Sequence, residues 1–330
     1  MKKNPWLSPI VLILIPLLVF TISLVMGRYP KPGFMPLDTL INDELAQRLV
    51  FNLRLPRLLC ALMLGMSLSA AGGVMQMLFR NPLVEPGFLG VTQGAGFGAA
   101  LCIIFFGSTL WLVEVSATFF AIFALLFSWF IARRIRFGGW VLRLILAGIA
   151  VSAFFSAGLG ILKYLADPLS QLPEITFWLL GGLYSITWRD FYYVMPVVAI
   201  GLTVILLMRW RLNLLALEDQ TASSLGVSVK RERTLLLAVS VAITAVVVSV
   251  AGIVGWIGLI IPHIARRLVG ANAAKFIPVS ISIGGTFAIL CDDFARTVSA
   301  GEIPLGIITS LLGALIFLSL MVSPGMRLNR

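Results

Sequence analysis

The sequence predicts an all-α protein that crosses a membrane many times, and three observations carry that prediction. Hydrophobic residues fill 59% of the 330 positions and charged residues only 12%, about half of the roughly 25% charged fraction usual in soluble domains. Uncharged residues fall into nine runs, at 4–27, 58–79, 86–113, 115–132, 144–162, 191–208, 234–265, 276–291 and 303–326. Lysine and arginine flank those runs, so the net charge of +11 reads as membrane topology rather than as a nucleic-acid surface. No soluble module is left over, and residues 1–330 are expected to form a single transmembrane domain in contact with lipid.

The first run follows Lys2 and Lys3, but no small-residue cleavage site precedes Arg28, so it is expected to be an uncleaved first span. The third run opens with the glycine-rich stretch GFLGVTQGAGFGAAL. Small residues there let neighbouring backbones approach closely, and the interrupting Thr92 and Gln93 are candidates for lining a pathway. Residues 166–190, with Pro168, Pro173, Trp178 and Trp188, predict a short helix at the outer interface. The seventh run holds 32 residues, roughly 48 Å of helix against a bilayer core of about 30 Å. Gly252, Gly255 and Pro262 offer places to break it, which brings the expected count to ten spans. Arg57 opens an apolar helix expected to end in Ala71-Gly72-Gly73-Val74 and Arg233 one expected to end in Ala251-Gly252-Ile253-Val254, a weak internal similarity of the kind an inverted repeat gives.

Ten spans put both termini on one side. Assigning that side to the cytoplasm gives it 17 of the 25 Lys/Arg and only 4 of the 14 acidic residues, as the positive-inside rule requires. On that side lies Arg209–Arg233, where basic residues bracket a segment that reads as a short helix. Glu218 and Asp219 suit its start, Leu217, Ala222 and Leu225 share a face, and Gly226 suits the position just past its end. Such a segment is either a solvated loop or a handle for a soluble partner.

The chemistry a catalytic role would need is absent. No GxxxxGK[ST] phosphate loop occurs, so any nucleotide-driven step must belong to another chain. Cys60, Cys102 and Cys291 stand apart within apolar sequence and His263 is the sole histidine, which leaves no metal-ligand pattern. The acidic residues fall at or near span ends, whereas an ion-coupled carrier calls for a carboxylate in mid-span. Glu114, Asp167, Asp292 and His263 are too scattered to build a membrane enzyme.

Four words, in order, carry a family resemblance: Arg54-Leu55-Pro56-Arg57; the stretch RNPLVEPGFLGV from Arg80 to Val91; Ile257-Gly258-Leu259-Ile260-Ile261-Pro262-His263; and Glu302-Ile303-Pro304-Leu305-Gly306. From about Arg54 onward the chain resembles the FecCD-type permeases, membrane subunits of ATP-driven bacterial importers for iron-siderophores, haem and cobalamin. The resemblance implies the type II importer fold of ten helices, in the bacterial inner membrane with both termini cytoplasmic. It also implies a homodimer, two cytoplasmic ATPase subunits that hold ATP and Mg, a periplasmic substrate-binding protein, and no cofactor in this chain.

Site residues follow from the same resemblance. Residues 214–227 correspond to the family's coupling segment, with Leu217, Glu218, Asp219, Ala222, Leu225 and Gly226 engaging the ATPase. Arg54, Arg57 and Arg296 correspond to arginines that receive acidic residues of the binding protein, a task suited to a planar two-pronged donor. Asn81 with Leu83, and Val141 with Leu142, correspond to the cytoplasmic gate. The second pair is wholly apolar here, so that gate would seal by dewetting. Two cytoplasmic segments, Trp210–Leu215 and Leu268–Asn272, also resemble the molybdate and tungstate branch. A metal chelate is the expected cargo and an oxyanion the alternative; an ion-coupled secondary carrier is the alternative of another class.

Overall fold

Lipid offers helices no hydrophobic reason to associate, so small residues that permit close backbone contact set the packing of a membrane bundle. A computed structural model describes residues 8–299 and 301–322 of the chain. Helix α1 (Pro9–Val25) leads into a hairpin of β1 (Met26–Gly27) and β2 (Gly33–Phe34), paired antiparallel. After α2 (Leu37–Asn42), α3 (Glu44–Arg48) runs through a π turn at Leu49–Arg54 into α4 (Leu55–Leu78), so that Glu44–Leu78 is one rod of 35 residues. The rod begins well before residue 58, where the uncharged run starts, because the Asp43 carboxylate caps it, accepting from the Leu45 amide at 2.9 Å.

A 3₁₀ turn (Pro86–Leu89) precedes α5 (Val91–Phe105), which is followed by α6 (Leu110–Arg134), α7 (Trp140–Leu165), α8 (Gln171–Leu180) and α9 (Trp188–Leu215). The chain closes with α10 (Asp219–Ser224), α11 (Val229–Ala251), α12 (Ile257–Val269), α13 (Ala273–Thr297) and α14 (Leu305–Val322). Among the described residues, 7 helical stretches are long and apolar enough to cross a membrane: the rod Glu44–Leu78, α6, α7, α9, α11, α13 and α14. Two shorter apolar helices, α1 and α5, and the 13-residue α12 accompany them. At 1.5 Å per residue α12 spans only about 20 Å, short of a full crossing.

The long seventh run breaks at Gly252–Trp256, where glycine was expected to break it, and Pro262 lies inside α12. Gly252 takes φ +68°, a left-handed value that glycine adopts without strain. Ala71–Val74 lies within an α4 that continues to Leu78, whereas Ala251–Val254 enters this break, so the two similar words adopt different conformations. The glycines of α5 serve packing: Gly94 and Gly98 lie against the α6 backbone, and Ser116 Oγ donates to the Gly98 carbonyl at 2.7 Å.

Helix α4 is the central element, packed on α9, α11, α12 and α13. Its Gly65 faces Gly284 of α13 and its Gly72 faces Gly258 of α12; a methyl group at Gly72 would fall 1.9 Å from the Gly258 carbonyl oxygen. The connections assigned to the cytoplasm converge at one end, where Asn213 Nδ2 donates to Asn272 Oδ1 at 3.0 Å and the Ala273 amide donates to Asn213 Oδ1 at 2.8 Å. The opposite connections converge at the other end, where Trp188 Nε1 donates to the Phe51 carbonyl at 3.0 Å. Lys2, Lys3, Arg327 and Arg330, which entered the charge count, lie outside the described residues. Helix α8 does more than rest at a rim: starting beside Ile104 at the outer end of α5, it descends until the Gly182 amide reaches the Ala251 carbonyl at 2.8 Å.

Candidate functional site

At the basic end the short helix forms where the sequence places it. Glu218 stands at the N-cap, Asp219 opens α10, and Gly226 follows the end with φ +79°. The Val227 amide donates to Ala222 and the Gly226 amide to Ser223, the paired bonds of a Schellman closure, which a left-handed residue makes possible. The apolar face splits into two uses. Ala222 is fully buried against its own chain, whereas Leu217 and Leu225 are 40% and 56% exposed and point an apolar surface outward.

The helix is tied to the bundle through one side chain. Arg233, in the first turns of α11, is buried and donates to Asp219 at 2.9 Å while its guanidinium lies 4.6 Å from the centre of the Trp140 ring. Trp140 in turn packs on Phe79, ring centres 5.4 Å apart. Arg80 donates to the Leu217 carbonyl just ahead of α10. The hydrogen bond from Arg233 holds the Asp219 carboxyl below the usual carboxylate range, and the charges of Arg233 and Arg80 act in the same direction. Asp219, expected to engage the ATPase, is paired within its own chain.

Both gate candidates continue directly from this cluster. Asn81 and Leu83 follow Phe79 and Arg80, and the Asn81 side chain accepts from the Leu83 amide at 2.9 Å, fixing the turn. Val141 and Leu142 follow Trp140 in the first turn of α7. Leu83 and Leu142 are about half exposed, at 49% and 46%. Thr92 and Gln93 lie half-buried in the first turn of α5, next to the 3₁₀ turn.

At the opposite end the three predicted arginines come together around a cavity of about 370 Å³, joined by Arg28, Tyr29 and Glu302. They are not equally free. Arg57 pairs with Asp292 at 2.9 Å and with Glu302 at 2.9 Å, and Arg296 pairs with Asp293 and donates to the Met26 carbonyl at 2.7 Å. Ser23 donates to Asp293 as well, so this network joins α1, α4 and α13. Arg54 has only a 3.3 Å bond to the Leu24 carbonyl, and exposed Arg28 has no acidic partner among the described residues. The pairing was hidden because Asp292 and Asp293 lie some 235 residues along the chain from Arg57.

A larger cavity, about 650 Å³, lies where the α11–α12 break meets the end of α8 and the start of α14; Glu85, Leu180, Ile253, Trp256, Leu259 and Ser310 are among its lining residues. Trp256, the N-cap of α12, holds a left-handed φ of +71°, unusual for a bulky residue and a sign of a constrained position. Thr92 and Gln93 are not among the residues lining it. No group of three or more His, Cys, Asp or Glu residues capable of holding a metal ion occurs among the described residues.

The chain as a whole has relatives of known family and a solved structure of the same fold. Residues 13–323 match the FecCD transport family. The chain belongs to that family. Among its relatives is the molybdate import system permease protein MolB of Haemophilus influenzae, 39% identical over 314 residues that cover 91% of each chain. A probable iron chelatin transport system permease protein of Helicobacter pylori is 41% identical over 283 residues, 85% of each chain. A solved structure described as an inward-facing conformation of a metal-chelate type ABC transporter superposes with a TM-score of 0.86 at 37% identity, covering 94% of this chain and 97% of the other. In this FecCD chain the residues at these clusters and cavities that sequence reasoning passed over are Arg28, Phe79, Trp140, Glu85 and Trp256. Glu85 stood inside a recognised motif, but no periodicity marks the others.

Proposed function

We propose that this chain is the membrane-spanning permease subunit of an ATP-driven, binding-protein-dependent importer that carries a metal chelate of the iron-siderophore, haem or cobalamin class into the cytoplasm. It works as two copies with two cytoplasmic ATPase subunits, which supply ATP and Mg, and receives cargo from a periplasmic binding protein; the chain itself is not catalytic. Counting α1, α5 and the short α12 with the seven longer helices gives ten membrane helices, in the bacterial inner membrane with both termini cytoplasmic.

The observation that carries this reading is the Asp219–Arg233–Trp140–Phe79 chain of contacts. Exposed Leu217 and Leu225 offer an apolar footing for a groove on the ATPase. A push on α10 is passed by Arg233 to Trp140 at the root of α7 and on to Phe79 at the end of α4. The residues next in line, Val141 and Leu142 on one arm and Asn81 and Leu83 on the other, are the gate. Both arms share this set of contacts, since the Arg233 guanidinium touches Asp219 and the Trp140 ring, and that ring touches Phe79. On the far side, Arg54 and Arg28 present free forks to acidic residues of the binding protein, while Arg57 and Arg296 brace the rim they stand on.

The test is uptake into proteoliposomes with the ATPase and binding protein supplied. Uptake should require ATP and survive collapse of proton and sodium gradients, and Arg233→Ala should leave the transmembrane bundle folded while lowering ATP-driven uptake about tenfold or more. Gradient-driven uptake by this chain alone would overturn the reading. The same machinery carrying molybdate or tungstate is the second reading, favoured by the similarity to MolB along most of both chains; titrating the binding protein with chelates and oxyanions separates the two.

A further inference from the structure

The cavity of about 650 Å³ has an unusual lining. Leu179, Leu180, Ile253, Leu259 and Ile307 make most of it apolar, and Glu85 is the one charged residue on its wall. Among the described residues Glu85 has neither an ion pair nor a side-chain hydrogen-bond partner. Burial raises its carboxyl above the ordinary range. Glu85 is half-buried; a charge partly withdrawn from water is costly unless something compensates it, and Lys, Arg and His are all missing from the lining.

The rest of the wall points to the same complement. The break between α11 and α12 frees backbone carbonyls, and that of Ile253, which lines the cavity, accepts no hydrogen bond among the described residues. Interrupted helices in membrane proteins expose such groups where they line a cavity. Trp256, held in its left-handed conformation at the cavity edge, adds an aromatic surface, the side chain best suited to attract a cation. A carboxylate, the Ile253 carbonyl oxygen and an indole ring together favour a positive, hydrogen-bond-donating group and offer an oxyanion little.

We propose that this cavity is a cargo station on the import route, at which Glu85 and Trp256 hold an ammonium group carried by the cargo. This rests on the importer reading and narrows its substrate class to complexes that bear a positive or donor-rich arm, away from oxyanions. The geometry also gives the station its timing. Glu85 lies two residues after gate residue Leu83 in the turn that leaves α4, so displacing that turn moves the carboxylate away from Trp256 on α12 and releases what the pair holds.

The experiment is a binding titration on the purified full-length chain in lipid nanodiscs, which needs no ATPase. The probes are a ferric trihydroxamate chelate with a pendant ammonium arm, the same chelate N-acetylated, and sodium molybdate, read by quenching of the fluorescence that Trp256→Phe removes. The wild type should prefer the ammonium form over the acetylated form by about tenfold or more, the scale of one charge-assisted hydrogen bond. Glu85→Gln should abolish that preference, Glu85→Asp should retain most of it, and molybdate should give no saturable signal. A preference unchanged in Glu85→Gln, no preference in the wild type, quenching that persists in Trp256→Phe, or saturable molybdate binding would each overturn the proposal. None of those results touches ATP-dependent uptake, so the importer reading stands or falls separately.

Discussion

Arg57 and Arg54 stand three residues apart on one rod, yet their surroundings give them opposite uses. Arg57 is 12% exposed and grips Asp292, which is fully buried; an unpaired charge left there would cost about 3–5 kcal/mol. Arg54 has no acidic partner and faces the same cavity. Arg57→Glu is accordingly expected to lower the melting temperature of the purified chain, whereas Arg54→Glu should leave melting unchanged and weaken binding-protein association, more so at low salt. A melting curve and a salt series on both variants check this; equal loss of association at equal stability would mean that both arginines meet the partner directly. Asp219 makes the same point at the other end. Its residue type fitted an acidic helix start and a partner contact equally well, and only the arrival of Arg233 from 14 residues away showed which it makes.

Among the elements, α10 has six residues, too few to be stable alone. It persists because Gly226 closes it, Ala222 is buried beneath it and Arg233 clamps its first residue. That leaves Leu225 free to serve a partner. Leu225→Asp should therefore leave the bundle folded, as judged by unchanged helical signal and elution, while the ATPase no longer co-purifies, because a charge would enter an apolar contact. Normal co-purification would show that the helix docks by another face. The glycine words were legible in the same way. Gly252 and Gly255 marked the break between α11 and α12, since a helix rarely absorbs closely spaced glycines in a run already too long for one crossing. The rod Glu44–Leu78 was not legible upstream of residue 58, because Glu44, Arg48, Arg54 and Arg57 interrupt hydropathy without interrupting the helix.

Across the whole molecule, α4 is the axle on which α9, α11, α12 and α13 turn, and backbone contact at Gly65–Gly284 and Gly72–Gly258 sets the spacing. Gly72→Leu should force α4 and α12 apart, costing about 1–3 kcal/mol or more as overpacked cores do, and abolish uptake although neither the proposed gate residues nor α10 is altered; wild-type melting and transport in that variant would show the contact to be slack. The membrane class, the break in the seventh run, the position of α10 and the family were all determined by sequence alone. Each depends on local composition, on chain length against bilayer thickness, or on words contiguous along the chain. Which arginines lack an acidic partner, how α10 is joined to the turns at Phe79 and Trp140, and that Glu85 and Trp256 share one cavity were decided by tertiary structure. Those facts depend on side chains brought together across tens to hundreds of residues, and no periodicity in a one-dimensional string records which helix will lie beside which.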